Sequence, residues 1–283
     1  MVKKSSLIKP FLKWAGGKRQ LLPVIKKCLP VDIHTYTYYE PFVGAGAVFF
    51  ELQPKKAVVN DSNTQLIMTY MVIKEHVEAL IPLLRDYQHK NTKDYFYQTR
   101  NLDREPRAFE GLSDTEKAAR LLFLNKTCFN GLYRVNSQGL FNVPYGNYKN
   151  PRICEENILR HISTYLNANA VSIINGDFER AVAGADKHSF IYFDPPYHSP
   201  DSTHFTGYSA AGFGETEQER LCAVFTSMTK QGAKCLLSNS DTEFIRNLYK
   251  GYEILPVQAK RVINSNAQAR GFVHEVLIRN WND

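Results

Sequence analysis

The most constraining stretch of this 283-residue chain lies between Thr35 and Asp61. Thr35–Glu40 is aromatic and β-branched, the composition of a strand. It runs straight into Pro41-Phe-Val-Gly-Ala-Gly-Ala47, and the apolar run Val48–Leu52 that follows suits a helix. Lys56–Val59 is a second strand, ending at Asn60-Asp61. A strand, a glycine turn, a helix and a strand closed by an acid, all within 27 residues, open a doubly wound α/β domain. Gly44 and Gly46 in the Phe42–Gly46 turn let the backbone approach a nucleoside closely. The third glycine of a dinucleotide fingerprint is missing, which favours a cofactor without a pyrophosphate. Asp61 places a carboxylate where both ribose hydroxyls of such a cofactor can donate to it.

The same rhythm resumes late in the chain. Val171–Ile174 is a strand before Asn175-Gly-Asp177, and Phe190–Phe193 is a strand before Asp194-Pro-Pro-Tyr197. Cys235–Leu237, and the pair Tyr252–Val257 and Val273–Ile278, read as further strands. Helices are expected over Leu21–Leu29, around Leu66–Ile73, after a Ser113-x-x-Glu116 capping box, after Thr216-x-x-Glu219 and over Asp241–Lys250. Roughly 100 residues between Asp61 and Val171 interrupt the α/β pattern. Within them, Leu132–Val135 and Leu140–Val143 read as two short strands around the turn Asn136-Ser-Gln-Gly139.

Asp194-Pro-Pro-Tyr197 carries the sharpest chemical signal. Two prolines end the strand at a rigid extended corner. The Asp194 carboxylate and the Pro195 carbonyl become acceptors that converge at the carboxyl edge of the sheet, and Tyr197 offers a flat face beside them. Such a group suits an exocyclic amine on a planar base: its two N–H groups meet two acceptors while the ring stacks on Tyr197. The rival reading is a strand-ending turn that happens to carry an acid.

Charge adds a partner. The net charge of +7 resolves into +17 on three acid-free stretches, Met1–Val31, Lys117–Cys154 and Ile254–His274, and −10 elsewhere. Keeping acids out of chosen segments suits a polyanion. The five cysteines are odd in number, far apart and without a C-x-x-C, so neither a disulfide framework nor a thiolate zinc site is indicated. His198 and His204 match no metal spacing, and no metal is expected. No apolar run is long enough for a membrane span. A cytoplasmic protein with a polyanion partner is the expectation, with no membrane partner.

The motifs together identify a family resemblance. Phe11-Leu-Lys-Trp-Ala-Gly-Gly-Lys-Arg-Gln-Leu-Leu-Pro23, Glu40-Pro-Phe-Val-Gly-Ala-Gly46, Asn130-Gly-Leu-Tyr-Arg-Val-Asn136, Phe141-Asn-Val-Pro-Tyr-Gly146 and Phe193-Asp-Pro-Pro-Tyr197 occur in that order. The chain resembles the Dam-type family of S-adenosylmethionine-dependent DNA adenine-N6 methyltransferases along essentially its whole length, closest to GATC-methylating members. The resemblance implies a Rossmann-like doubly wound methyltransferase sheet with an inserted, mainly helical target-recognition domain carrying a β-hairpin. Residues 1–62 and 168–283 would form the catalytic domain, and 63–167 the recognition domain.

It also implies roles. Asp194, Pro195, Pro196 and Tyr197 match the catalytic motif that grips a flipped adenine. Trp14, Lys18, Phe42, Gly44, Gly46 and Asp61 match cofactor-binding positions, and Asp177 with Phe178 match the pair holding the cofactor's adenine. Asn130, Leu132, Tyr133, Arg134 and Asn136 match the site-reading hairpin, with Phe129 as a wedge into the base stack and Lys13 as a base contact. Tyr148 is a further expected contact to double-stranded DNA, and the acid-free charge of the third stretch, rather than the resemblance, adds Lys260 and Arg270 as expected phosphate contacts. Asn147 stands where relatives commonly carry Arg, which puts one phosphate contact in doubt. The His198–Gly214 loop is a candidate lid. A separately encoded restriction endonuclease is a possible companion, and a monomer is favoured. Two rivals stay open from sequence: cytosine-N4 methylation, since the same acceptors suit any exocyclic amine, and a DNA-binding regulator with a disabled site.

Overall fold

A seven-stranded sheet in the order β3-β2-β1-β4-β5-β7-β6 organises the molecule. The computed structural model describes residues 7–14, 16–200, 212–260 and 272–282. The strands are β1 (Thr37–Glu40), β2 (Lys56–Asp61), β3 (Ala170–Asn175), β4 (Ser189–Phe193), β5 (Lys234–Ser240), β6 (Glu253–Lys260) and β7 (Phe272–Arg279). β1 to β5 run parallel, and β7 pairs antiparallel with both β5 and β6. β4 is buried along its full length, as expected of a central strand covered on both faces. Strand order reverses between β1 and β4, and the crevice beyond their carboxyl ends is the ligand position of such sheets. This is the Rossmann-like architecture implied by the sequence.

The helices are α1 (Leu22–Lys27), α2 (Ala47–Leu52), α3 (Thr64–Glu75), α4 (Val77–His89), α5 (Lys93–Asn101), α6 (Pro106–Glu110), α7 (Asp114–Thr127), α8 (Glu156–Ala168), α9 (Phe178–Val182), α10 (Glu215–Lys230) and α11 (Glu243–Leu248). The segment between β2 and β3 is therefore mainly helical. α3 packs against α7, α8, β2 and β3 at once, so one continuous apolar core joins sheet and insert. The other main cluster, built on Phe193, Phe225, Leu237 and Tyr249, lies under α10 and α11. α7 starts with the expected capping box: Ser113 Oγ accepts from the Glu116 N–H, and the Glu116 carboxylate accepts from the Ser113 N–H.

Some elements differ from the sequence reading. The expected hairpin over Leu132–Val143 is not a ladder of two strands; it holds only the isolated bridge Val135–Phe141, with a second bridge, Cys128–Tyr145, at its base. The facing bonds of that one pair are made, from the Asn136 N–H to the Leu140 carbonyl and from the Asn142 N–H to the Arg134 carbonyl, while the outward Phe141 N–H donates to Asp103 Oδ2 at 2.9 Å and its carbonyl accepts from Arg104 at 2.8 Å. α10 begins at Glu215 with Gly214 at its N-cap and no side-chain cap, so the cap lies two residues before the expected Thr216. Glu215 and Glu217 in its first turn favour that start. Residues 33–35 form a 3₁₀ turn, so β1 begins at Thr37.

Candidate active site

The glycine turn after β1 is shaped by close packing. Gly44 has φ +48°, and a Cβ there would lie 2.8 Å from the Trp14 ring. Gly46 has φ +71°, and its Cβ would lie 2.6 Å from the Tyr70 hydroxyl. A side chain at either position meets strain and a clash together. Tyr70 in turn donates to the Gly44 carbonyl at 3.0 Å. From the end of β2, Asp61 Oδ2 accepts from the Gly44 N–H at 3.0 Å and Oδ1 from the Asn63 N–H at 2.9 Å. Burial raises the Asp61 carboxyl above its usual range, and these two N–H groups partly offset it. Asn60, fully buried, ties this edge together by donating to the Pro41 and Gly176 carbonyls at 2.9 and 3.0 Å.

Beyond β3, Asp177 caps α9 through the Glu179 N–H. Arg220 of α10 grips both Asp177 oxygens, at 3.0 and 2.7 Å, and its guanidinium lies 4.1 Å from the Phe178 ring centroid. That pairing holds the Asp177 carboxyl below its ordinary range. Phe178 packs on Phe42 with ring centroids 5.2 Å apart. Phe42, Asp61, Asp177 and Phe178 thus share the rim formed by the ends of β1, β2 and β3.

At the end of β4, Asp194 Oδ1 accepts from Ser238 Oγ at 2.8 Å and pairs with Lys18 Nζ at 2.7 Å. Lys18 is 6% exposed. Its ammonium also donates to the Gly16 carbonyl at 2.6 Å and sits 4.6 Å from the Tyr197 ring centroid. Burial raises the Asp194 carboxyl, while Lys18 and Ser238 pull it down. The Tyr197 hydroxyl donates to Glu275 at 3.0 Å and is held neutral by burial. Pro195 is buried, and the Pro196 carbonyl accepts from Gln218 at 2.8 Å. Glu40, 2% exposed at the end of β1, accepts from the Tyr38 hydroxyl at 2.7 Å; burial pushes its carboxyl far up.

The second half of the site is the segment after α7. Phe129 is 51% exposed, a large apolar side chain left on the surface. Asn130 adopts φ +56° and Asn147 φ +52°, left-handed positions that asparagine tolerates. Arg134 is exposed, with Nε donating to Asn142 at 2.7 Å. Lys13 is exposed, its ammonium 5.3 Å from the Tyr148 ring centroid. Tyr133 is placed differently from an outward base-reading residue: it is 7% exposed and stacks on Trp14 at 4.9 Å. Asn136 spends its carbonyl oxygen on the turn, accepting from the Gln138 and Leu140 N–H groups. Leu132 is half-buried against the core.

The structure therefore brings Trp14, Lys18, Asp61 and Asp194–Tyr197 to one crevice and leaves Lys13, Phe129 and Arg134 outward on neighbouring segments. Arg270, His204 and most of the expected lid lie outside the described residues. So does the Lys260 side chain, although Lys260 ends β6. Sequence reasoning missed Ser238, Asn239, Gln218, Arg220 and Asn125. One signal was present for the first two: Ser238-Asn239-Ser240 continues an apolar strand as polar residues at its carboxyl edge. Among the described residues no helix is long and apolar enough to cross a membrane, and no cluster of potential metal ligands occurs.

Comparison with known proteins converges on the same chemistry. Residues 14–263 match the family of D12 class N6 adenine-specific DNA methyltransferases. The chain is 43% identical over 275 residues to the Type II methyltransferase M1.LlaDCHI of Lactococcus lactis subsp. cremoris, covering 97% of this chain and 96% of that protein. It is 42% identical over 291 residues to the Type II methyltransferase M.MjaIII of Methanocaldococcus jannaschii, covering 97% and 99%. To the DNA adenine methylase of Haemophilus influenzae it is 36% identical over 276 residues, covering 95% and 92%.

Proposed function

This chain belongs to the D12 class of N6 adenine-specific DNA methyltransferases, and from that premise we propose how its residues divide the work and which site they read. The enzyme transfers a methyl group to adenine N6 in DNA. We assign residues 63–167 to target recognition and the rest to catalysis, with GATC as the site. The observation that carries the reading is the placement of Asp194 at the switch point beside Lys18 and Tyr197.

The methyl donor that fits is S-adenosylmethionine, whose sulfonium supplies an electrophilic methyl group. The crevice offers it an acid at the end of β2 (Asp61), a charge-paired acid beside two packed aromatic rings at the end of β3 (Asp177, Phe178, Phe42), and the Trp14 wall. Among the described residues, the Lys18 and Ser238 contacts of Asp194 both fall on Oδ1. The Oδ2 atom and the Pro195 carbonyl then accept the two N–H groups of adenine N6. This localises the nitrogen lone pair, and the amine proton leaves late. Tyr197 stacks on the extruded base and offsets part of the few kcal/mol of unstacking.

Recognition rests on exposure and charge. Phe129 wedges into the base stack, and Arg134 donates to guanine, which gives roughly 1–3 kcal/mol of discrimination. Lys13, Asn130 and Tyr148 support the same face. Phosphate contacts from Lys260 and Arg270 rest on the acid-free composition of that stretch. Two of the relatives above are named Type II methyltransferases, which supports a companion endonuclease encoded separately and a cytoplasmic, DNA-bound location.

The test uses the purified protein on duplexes carrying GATC or single-base variants. Asp194→Ala should keep duplex binding and lose methyl transfer by at least about 100-fold. A fully active variant rejects the catalytic assignment. A changed-base duplex methylated as fast as GATC rejects the specificity.

A further inference from the structure

Three consecutive residues at the carboxyl end of β5 hold the Asp194–His198 segment. Ser238 Oγ donates to Asp194, Asn239 Oδ1 accepts from the His198 N–H at 3.0 Å, and Ser240 Oγ donates to the His198 carbonyl at 2.5 Å. From α10, Gln218 donates Nε2 to the Pro196 carbonyl at 2.8 Å, and its Oε1 accepts from Asn239 Nδ2 at 3.0 Å. Gln218 and Asn239 are both fully buried.

The direction of this relay is forced. The His198 and Ser240 N–H groups can only donate, so Asn239 must present its oxygen to them. Its amide nitrogen then faces Gln218, which must answer with oxygen. The Gln218 nitrogen is left for the Pro196 carbonyl, which can only accept. Each amide therefore has one satisfied orientation. The two anchored peptide groups, the Pro196 carbonyl and the His198 N–H, lie on either side of Tyr197 in the chain.

We propose that Gln218 and Asn239 are positioning residues for methyl transfer. By engaging the Pro196 carbonyl and fixing the backbone on both sides of Tyr197, they set the register in which Asp194 and the Pro195 carbonyl, not that of Pro196, meet the adenine amine. The inference rests on the Asp194–Tyr197 reading given above. It adds that the acceptor pair is selected by side chains 22 and 41 residues removed in sequence from those they bind.

The experiment compares full-length Gln218→Leu and Asn239→Asp with the unaltered enzyme in steady-state methylation of a GATC duplex. Cofactor affinity is read by calorimetry and folding by thermal melting. Gln218→Leu removes the donor to Pro196. Asn239→Asp is isosteric, but its carboxylate repels Gln218 Oε1, so the Gln218 amide must turn and release Pro196. Each variant should lose at least tenfold in kcat, with both KM values within threefold and cofactor affinity unchanged. The double variant should lose no more than either single one, as expected of one relay. Retention of kcat within twofold in either folded variant overturns the inference, as does a kcat loss matched by an equal loss of cofactor affinity. Asp194→Ala serves as the control: its inactivity beside an unaffected Gln218→Leu sinks only the positioning role, whereas its full activity sinks the reading beneath it.

Discussion

Lys18 Nζ stands 2.7 Å from Asp194 Oδ1, inside a crevice where the lysine is 6% exposed. The two residues are 176 positions apart, and the sheet brings them together because β4 delivers Asp194 to the switch point while the turn after Trp14 folds back over it. A buried carboxylate without a counter-charge would take up a proton. The ammonium opposes that, so Asp194 can work as an acceptor while largely shielded from water. Lys18 was expected only as a cofactor contact; its position gives it a role in keeping Asp194 ionised.

Lys18→Met should therefore move the acid side of the activity profile. The proposed mechanism needs Asp194 ionised; burial already raises its pKa, and Lys18 lowers it. Without the ammonium the pKa rises further, so methylation should fall off at a higher pH than in the unaltered enzyme. Initial rates from pH 5.5 to 9 at saturating DNA and cofactor check this. An acid limb that stays in place would exclude the charge role.

Glu40→Gln should change stability instead. Burial pushes the Glu40 carboxyl far above its ordinary value in the folded chain. The folded state then binds more protons than the unfolded state in the window above the ordinary carboxylate range. Stability from this group is present at low pH and is lost as pH rises through the folded value. A glutamine keeps an acceptor for Tyr38 and removes the titration. The variant should melt on the order of 2 °C higher at pH 8, with the difference vanishing near pH 4. An identical shift at both pH values would contradict the linkage.

Much of the catalytic half was legible because its signals are local. The glycine turn, Asp61 and Asp194–Tyr197 each follow a strand, and the structure sets them on one edge of the sheet. The supporting groups were not legible, because they answer needs created only by folding. Gln218 lies on the buried face of α10 among Leu221, Phe225 and Met228, where sequence pattern alone would place an apolar residue. Tyr133 fits a surface-reading motif by position, yet it turns inward because Trp14 offers it a ring to cover. The hairpin is shorter than its sequence pattern, closing around the single Val135–Phe141 pair, and its outward Phe141 backbone groups are held by Asp103 and Arg104, distant in sequence.

Arg220→Met should separate binding from chemistry. Arg220 pairs with both Asp177 oxygens and covers the Phe178 ring, so its loss frees the carboxylate that is assigned to the cofactor's adenine. Charge-assisted hydrogen bonds contribute about 1.5–3 kcal/mol, and part is screened at this half-exposed position. Cofactor affinity should weaken about tenfold, with kcat at saturating cofactor within twofold of the unaltered enzyme. Titration calorimetry and steady-state rates distinguish this from a fall in kcat alone, which would place Arg220 elsewhere in the mechanism.

Asn125 links the two halves of the site. Fully buried in α7, it accepts from the Lys13 N–H at 2.9 Å and donates to the Lys13 and Gly131 carbonyls at 2.8 and 3.0 Å. It thereby locks the segment carrying Trp14 to the turn carrying Phe129 and Asn130, and a Cβ on Gly131 would lie 2.4 Å from the Lys13 side chain. Asn125→Leu leaves three backbone groups without their partner, at about 1–3 kcal/mol for each that stays unsatisfied. Melting should drop by about 5–10 °C, and discrimination between the proposed GATC site and near-cognate duplexes should fall together with cofactor affinity. Asn125→Asp sharpens the test through its sign. The ionised side chain cannot donate to either carbonyl, but the protonated form can donate to one. Its folded pKa should therefore be raised, and the variant should gain stability relative to the unaltered protein as pH falls from 8 to 5. A stability deficit independent of pH would show that the donated bonds at Lys13 and Gly131 are not what holds the two segments together.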